Sequence, residues 1–433
     1  MRSVNSLARS ATEPPRQAWR LMRHFWRALG PGVITGAADD DPSGIVTYSI
    51  AGAQHGTTLL WLAPVTWPMM GAVQAMCARI GMVTGEGLMA ALRLKFSRPI
   101  LAATCLALLI ANTANIGADL AGMADAAEML TGVNSHLCVV VFTVAIAWAT
   151  VRLRYAVIAN TLKWLALVLF AYVITALKIG PHWGTVFRDT FLPSMPGGAA
   201  PWATVVAILG TTISPYLFFW QASQEVEEEK ALGRHTLVAR SGATPDEISR
   251  RKLDVGVGTF FSNMAMFFII LTTALTLHVH GVTQFNTSRE VAEALRPLAG
   301  KFSALLFTVG LIGTGALAIP TLAGSAAYAF SELFGWRQGI DEHFRGAPAF
   351  YVVILISMAA GVAFDFTNLN AMKALYWTAV INGVLAPFLL TGILIVASDR
   401  QLMRGQPSSR LGRTVVFFTT VAMFLAIIGM IVL

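Results

Sequence analysis

The sequence predicts an all-α polytopic membrane protein with about eleven transmembrane helices, and three observations carry that prediction. Hydrophobic residues make up 55% of the 433 positions, charged residues only 12%, and the mean hydropathy is +0.64; a soluble domain carries roughly 25% charged residues. Apolar stretches long enough to cross a bilayer recur at 28–55, 57–82, 99–130, 136–151, 154–178, 201–226, 253–277, 301–333, 349–366, 372–398 and 412–433. Basic residues gather in alternate loops between those stretches, as the positive-inside rule requires of a chain threaded back and forth.

The first element is a basic tail, 1–27, with Arg2, Arg9, Arg16, Arg20, Arg23 and Arg27 against the single Glu13. It lacks the short apolar core and small-residue cleavage site of a signal peptide, so it is expected to stay in the cytoplasm. Counting from there, the loops expected inside carry Arg93, Lys95 and Arg98; Arg152 and Arg154; Lys230, Arg234, Arg240, Arg250, Arg251 and Lys252; Arg337 and Arg345; and Arg400, Arg404, Arg410 and Arg413. The loops expected outside are poorer: 53–57, 131–135 and 366–371 hold no Lys or Arg, 179–200 has Arg188, and 278–300 has Arg289 and Arg296. An odd number of spans then leaves the C-terminus outside a cell (inner) membrane.

Composition excludes several other classes. The net charge of +8 is spread through loops rather than gathered on one face, which argues against nucleic acid as a partner. Cys77, Cys105 and Cys138 each sit in an apolar stretch with no C-x-x-C pair, so neither a disulfide framework nor a zinc knuckle is indicated. The partners expected are the lipid bilayer and a small solute, with no cofactor and a chain that works as a monomer.

Asp39-Asp40-Asp41-Pro42-Ser43-Gly44 interrupts the first span. Carboxylates at bilayer depth are costly and mark function by default. Pro42 has no amide hydrogen and clashes with the carbonyl four residues back, so the helix opens and the Ala38 carbonyl loses its helical partner beside the Asp41 carboxylate. A carboxylate among free carbonyls suits a cation. The sixth span repeats the device in Gly210-Thr211-Thr212-Ile213-Ser214-Pro215-Tyr216, where Pro215 frees the carbonyl of Thr211. Broken helices at spans one and six suggest five helices, five inverted helices and one extra around a midplane site. The division expected is a first repeat 28–178, an extracytoplasmic loop 179–200, a second repeat 201–398, and a linker with the extra helix at 399–433. Proline kinks in packed helices are a simpler account of either break alone.

These residues resemble the natural resistance-associated macrophage protein (Nramp) family of metal transporters. Gly30-Pro31-Gly32, Asp41-Pro42-Ser43-Gly44 and Ala51-Gly52-Ala53 are similar to its first helix, whose motif reads Asp-Pro-Gly-Asn; Ser214-Pro215-Tyr216 stands where it has Met-Pro-His; and Asn115-Ile116-Gly117-Ala118-Asp119-Leu120-Ala121 covers its Ala-Thr-Asp-Leu-Ala stretch. The resemblance spans most of the chain and implies a LeuT-like arrangement, with Asp41 binding a divalent ion through its carboxylate and Ala38 and Thr211 through their carbonyls.

Two departures bear on the ion. Ser214 replaces a soft methionine thioether with a hard hydroxyl, and Gly44 replaces an asparagine amide with open space. A roomier, all-oxygen site suits an ion that keeps part of its water shell, as magnesium does, and the pattern resembles the Nramp-related magnesium transporters; manganese remains a candidate, and the plant aluminium-transporting branch, which also alters this triplet, keeps hard trivalent ions open. The family's proton path is also depleted: Asp119 is present, but Gly122 stands for its Glu, Tyr216 for its His, and the ninth span has no Arg. A tyrosine with a free pKa of about 10 does not cycle protons near neutrality. Uncoupled entry is therefore expected, the alternative being a proton-coupled manganese or iron symporter.

The other polar residues allow two readings each. Asn112, Asn115 and Asp119 share one face of the third span and either line the path or bond a neighbouring helix. Asp39 and Asp40 attract cations or lie in a solvated wall. Glu225, Glu227, Glu228 and Glu229 form an acidic mouth or are neutralised by Lys230 and Arg234. Gly32, Gly36, Gly52 and Gly56 have the spacing of close helix packing, His278 and His280 are expected on a solvated surface, and 227–252 reads as a flexible inner loop. An aspartyl protease of the membrane would need Asp41 and Asp119 as a coupled pair. A sodium-coupled amino-acid carrier conflicts with three adjacent aspartates, which repel a substrate carboxylate.

Overall fold

The computed structural model describes residues 36, 38–154, 157–158, 167–366 and 370–433. The basic tail, the Gly30-Pro31-Gly32 motif and most of the first half of the fifth span lie outside them. The main helices are α1 (Pro42–His55), α2 (Leu62–Thr84), α3 (Arg98–Thr131), α4 (Ser135–Arg152), α5 (Phe170–Ile179), α6 (Ala199–Thr212), α7 (Pro215–Ala231), α8 (Pro245–Thr276), α9 (Ser303–Phe334), α10 (Pro348–Asp365), α11 (Ala371–Ser398) and α12 (Arg410–Val432).

Among the described residues, seven helical segments are long and apolar enough to cross a membrane, with α6 and α7 forming one of them. Two shorter apolar helices, in α5 and α10, accompany them. Burial sorts the helices by environment: the Ala199–Ala231 window is 89% buried and the α4 window 17%, so the broken sixth span is central and α4 faces outward. Val140, Val144 and Trp148 on α4, and Leu425, Ile428 and Ile431 on α12, are exposed, as a lipid-facing surface requires.

The two breaks are local consequences of proline. In the first span residues 38 and 39 are helical, the chain bends at Asp40, and α1 restarts with Pro42 at its first position, where a missing amide hydrogen costs nothing. Asp41 caps the restart: its Oδ1 accepts from the Gly44 amide at 2.7 Å. In the sixth span α6 ends at Thr212, Ile213 leaves helical geometry at φ −120° and ψ 57°, and α7 restarts with Pro215. Packing then sets these restarts against each other. A Cβ on Gly44 would lie 2.9 Å from Thr211 Oγ1, so only glycine lets the first break come this close to the sixth. The breaks sit on the seam between two apolar clusters, one holding Ile45 and Ile213 and the other Ala38, Tyr216 and Trp220.

The segment 227–252 is more ordered than its composition suggests. α7 continues to Ala231, a short helix covers Leu237–Arg240, and α8 begins at Pro245, eight residues before the apolar run. The cause is a capping box: Thr244 Oγ1 accepts from the Glu247 amide at 3.2 Å and the Glu247 carboxylate accepts from the Thr244 amide at 2.8 Å. The loop 179–200 likewise contains a helix, Trp183–Phe191. Glycine spacing in the first span serves packing, since a Cβ on Gly36 would meet the Gly258 backbone of α8 at 2.5 Å.

Candidate metal site

Asp41 lies 2% exposed at the first break. Its Oδ1 accepts from the Ser43 hydroxyl at 2.7 Å as well as from Gly44, and its Oδ2 accepts from Asn115 Nδ2 of α3 at 3.0 Å. The same Asn115 nitrogen lies 3.3 Å from Asp119 Oδ2, while Asn115 Oδ1 and Asp119 Oδ1 are buried with no hydrogen-bond partner. Asn115 therefore bridges the two carboxylates with its nitrogen and keeps an amide oxygen unused. Gly44 has no side-chain amide to offer, and the room expected there is taken up by the sixth span, since a Cβ on Gly44 would lie 2.9 Å from Thr211 Oγ1.

The two carbonyls freed by the prolines are not bare. Tyr216 OH donates to Ala38 O at 2.9 Å, and Ser214 Oγ donates to Thr211 O at 2.7 Å and lies 2.8 Å from Gly210 O. The residues on either side of Pro215 thus satisfy both carbonyls whose helical partners the prolines removed. A buried carbonyl without a donor costs about 1–3 kcal/mol, which explains why a hydroxyl fills each one in this closed arrangement. The Thr211 hydroxyl and the Tyr48 hydroxyl are buried without a hydrogen-bond partner. Ala38, Asp41, Gly44, Thr211, Ser214 and Tyr216 are all brought together, with Asn115 and Asp119 beside them, shut off from solvent.

Other polar residues resolve differently. Asp39 and Asp40 are 0% and 5% exposed and so form no solvated wall; Ser262 Oγ of α8 lies 2.7 Å from Asp39 Oδ2 and 3.2 Å from Asp40 Oδ1. Asn112 Nδ2 donates to Leu322 O and Ser325 Oγ of α9 at 2.9 and 2.8 Å, a bond to a neighbouring helix. The glutamates in the last turns of α7 are neutralised. Arg251 pairs with Glu225 and Asp254 at 2.7 Å each and with Glu228, Arg234 reaches Glu229 at 2.6 Å, and Lys230 reaches Glu227 at 2.8 Å. His278 and His280 are exposed, as expected, and His278 Nδ1 also lies 2.8 Å from Ala53 O at the end of α1. Sequence reasoning missed Ser262 and Arg251; the one available signal was a serine and an asparagine, Ser262-Asn263, inside an otherwise apolar span.

Chemically, the site offers the Asp41 carboxylate, with the Asp119 carboxylate on the far side of Asn115, among neutral oxygens. Among the described residues no three His, Cys, Asp or Glu side chains converge to hold a metal, so carbonyls, hydroxyls and the Asn115 amide would complete any shell around Asp41. Asp41 and Asp119 are separated by the Asn115 amide and share no direct hydrogen bond, unlike a protease dyad.

The chain is 25% identical over 403 residues to a divalent metal cation transporter, MntH, of Aeromonas hydrophila subsp. hydrophila, covering 90% of this chain and 92% of that protein. A second, the MntH of Yersinia enterocolitica, is 25% identical over 411 residues, covering 93% of each. Among solved structures, a manganese transporter from Eremococcus coleocola superposes with a TM-score of 0.70 at 18% identity, over 94% of this chain and 87% of that one. The nucleobase-cation-symport-1 family transporter Mhp1 superposes with a TM-score of 0.56 at 14% identity, over 93% and 90%; these likenesses establish the LeuT-like polytopic fold. The model of the natural resistance-associated macrophage protein-like (Nramp) family matches residues 32–433, and the chain belongs to that family.

Proposed function

We propose that this protein is a transporter, not an enzyme, that moves a divalent cation into the cytoplasm by alternating access, with a hard ion such as magnesium preferred and manganese also carried. Its relatives bear the names divalent metal cation transporter and manganese transporter. The observation that carries the finer reading is the pair of hydroxyls at Ser214 and Tyr216, which already occupy the Thr211 and Ala38 carbonyls. An arriving cation replaces those donors on the carbonyls, and the same hydroxyls can then turn lone pairs toward it. Every ligand so supplied is an oxygen, where a thioether in place of Ser214 would favour a softer ion.

Entry is driven by the ion gradient and membrane potential, the latter worth about 4.6 kcal/mol for a doubly charged ion at 100 mV. Pro42, Ser43 and Pro215 are the break residues, and Asn115, Asp119 and Tyr216 the path. The N-terminus lies in the cytoplasm and the C-terminus outside, residues 28–178 and 201–398 are the two repeats, and one chain without a cofactor suffices. A proton-coupled manganese symporter is the second reading, favoured by the unpartnered Asp119 Oδ1.

Uptake into liposomes with a lumenal pH dye separates the two. Magnesium and manganese entry without a pH change is expected; manganese entry with lumenal acidification and no magnesium signal would overturn the uncoupled hard-ion reading.

A further inference from the structure

The seam between α2 and α8 ends, at the basic face of the molecule, in a shallow open cleft lined by Ala75, Arg79, Met82, Ile248, Arg251 and Lys252. Its lining combines three cationic side chains, Arg79, Arg251 and Lys252, with the apolar Ala75, Met82 and Ile248. Arg251 is committed to Glu225, Glu228 and Asp254. Arg79 has no carboxylate partner among the described residues; its Nε donates to Gln406 O at 3.0 Å, in the linker before α12. Lys252 is exposed and makes no ion pair among the described residues. An arginine part-buried between transmembrane helices without a counterion is an unfinished electrostatic arrangement, because a charge leaving water needs a partner of opposite sign.

The same seam is greasy further along. Trp67 of α2 and Phe260 of α8 meet edge to face, with ring centroids 5.3 Å apart, and are 42% and 44% exposed; Phe261 beside them is 45% exposed. Trp67 lies twelve residues before Arg79 on one helix, about 18 Å along its axis. A cationic cleft at the water boundary and an apolar track running from it toward the bilayer interior match the two halves of a phospholipid.

We propose that this seam is a binding site for an anionic phospholipid, with the headgroup phosphate held by Arg79 and Lys252 and an acyl chain lying along α2 and α8 toward Trp67 and Phe260. Basic pockets between helices on the cytoplasmic side hold anionic headgroups by this combination. A soluble phosphate would use the cleft but leave the track empty. The α2 and α8 helices flank the first and sixth spans, with α8 packed on α1 and α2 on α7, so a lipid seated in this seam links the composition of the leaflet to the elements that carry the breaks.

The test uses delipidated full-length protein in a nonionic detergent, without divalent cations, titrated with phosphatidylglycerol, phosphatidylcholine or glycerol 1-phosphate. Native mass spectrometry counts bound molecules, and thermal unfolding reads stabilisation. Phosphatidylglycerol is expected to bind and raise the unfolding temperature, while the other two do neither. Replacing both basic residues, Arg79→Ala with Lys252→Ala, should weaken phosphatidylglycerol binding about thirtyfold, and Lys252→Ala alone about fivefold. The charge-preserving pair Arg79→Lys and Lys252→Arg should retain it. Equal binding by the double alanine variant, by phosphatidylcholine, or by glycerol phosphate would overturn the proposal. Should the double variant fail to fold, the exposed Lys252→Ala variant still decides it. Because the assay involves no transport, its outcome is independent of which ion the protein carries.

Discussion

Tyr216 donates its hydroxyl proton to the carbonyl of Ala38 at 2.9 Å across 178 residues of sequence. The sixth-span break thereby takes over the hydrogen bond that Pro42 removes from the first. The two breaks are one structural unit, because each proline frees a carbonyl and the residues beside Pro215 fill both. On the proposed reading an entering ion displaces both hydroxyls, and release of the Tyr216 bond uncouples the start of α7 from the first break.

Tyr216→Phe should therefore loosen the unit and raise apparent ion affinity. Loss of the hydroxyl leaves the Ala38 carbonyl without a donor, at a cost of about 1–3 kcal/mol in the ion-free state. A cation that supplies the missing partner recovers part of that cost. The expected result is a lower unfolding temperature without ion and a several-fold lower KM for uptake. An unchanged KM with unchanged stability would show that the hydroxyl does not compete with the ion.

The carboxylates should separate cleanly by mutation. Asp41→Asn removes the carboxylate that caps the restart of α1 and faces Asn115, and should abolish uptake. Asn115→Ala, which deletes the amide holding Asp41 Oδ2 at 3.0 Å, should weaken ion binding by about 10–100-fold, as loss of a partner that orients a ligand does. Asp39→Asn should retain more activity than either, because its contact is to Ser262 of α8. Calorimetry of manganese binding to the three variants checks the order, and an Asp39 variant as inert as the Asp41 variant would move the ion toward α8.

Arg251 is expected to dominate the stability of the basic end. Its partners Glu225 and Asp254 have side chains only 2% and 1% exposed. Arg251→Ala strands both charges and should cost about 3–5 kcal/mol. Arg251→Lys restores a charge but not the fork that reaches three carboxylates, so it should recover only part of that loss. Thermal unfolding of the two variants tests this, and an alanine variant as stable as wild type would mean the acidic run is stabilised elsewhere.

How much of this was legible beforehand follows from what sets each feature. Helix limits came through, since bilayer thickness fixes the length of an apolar run, and α3, α4, α9, α11 and α12 start and end within two residues of the expected 99–130, 136–151, 301–333, 372–398 and 412–433. The breaks were legible because Pro42 and Pro215 act on their own backbone. What was not legible is where the freed carbonyls find donors, since Tyr216 and Ala38 meet only through the fold. The same holds for Ser262 under Asp39 and Asp40, and for Arg251, which belongs by sequence to a loop and by structure to a helix joined to α7.

The linker before α12 should respond to acid at one identifiable pair. Lys95 Nζ lies 2.5 Å from Asp399 Oδ2, and this bond first, then the amides of Leu402 and Gln401, hold the Asp399 carboxyl below its ordinary value of 3.8, at about 2. A depressed carboxyl contributes stability that is fully present above the unfolded value and is lost as pH falls through the folded one. The contribution therefore disappears between about pH 4 and pH 2. Since the pair is solvent-screened, its effect should be local: hydrogen exchange at the Gln401 and Leu402 amides should quicken over that interval in the wild type and already be fast at pH 7 in Asp399→Asn.

The last expectation concerns selectivity. Ser214→Met exchanges a hydroxyl that donates to Thr211 O and Gly210 O for a thioether that cannot donate. Two consequences have the same sign for a soft ion: the Thr211 carbonyl becomes available, and a polarisable sulfur faces the site. For a hard ion they oppose one another, since sulfur displaces an oxygen ligand and fills space that a retained water would occupy. Manganese and cadmium uptake should therefore rise relative to magnesium by about tenfold, the ratio that a 1.4 kcal/mol difference in binding produces. Competition assays in liposomes measure that ratio. If it stays at the wild-type value, Ser214 does not set the ion preference, and selectivity has to be sought in Asn115 and the backbone around Asp41.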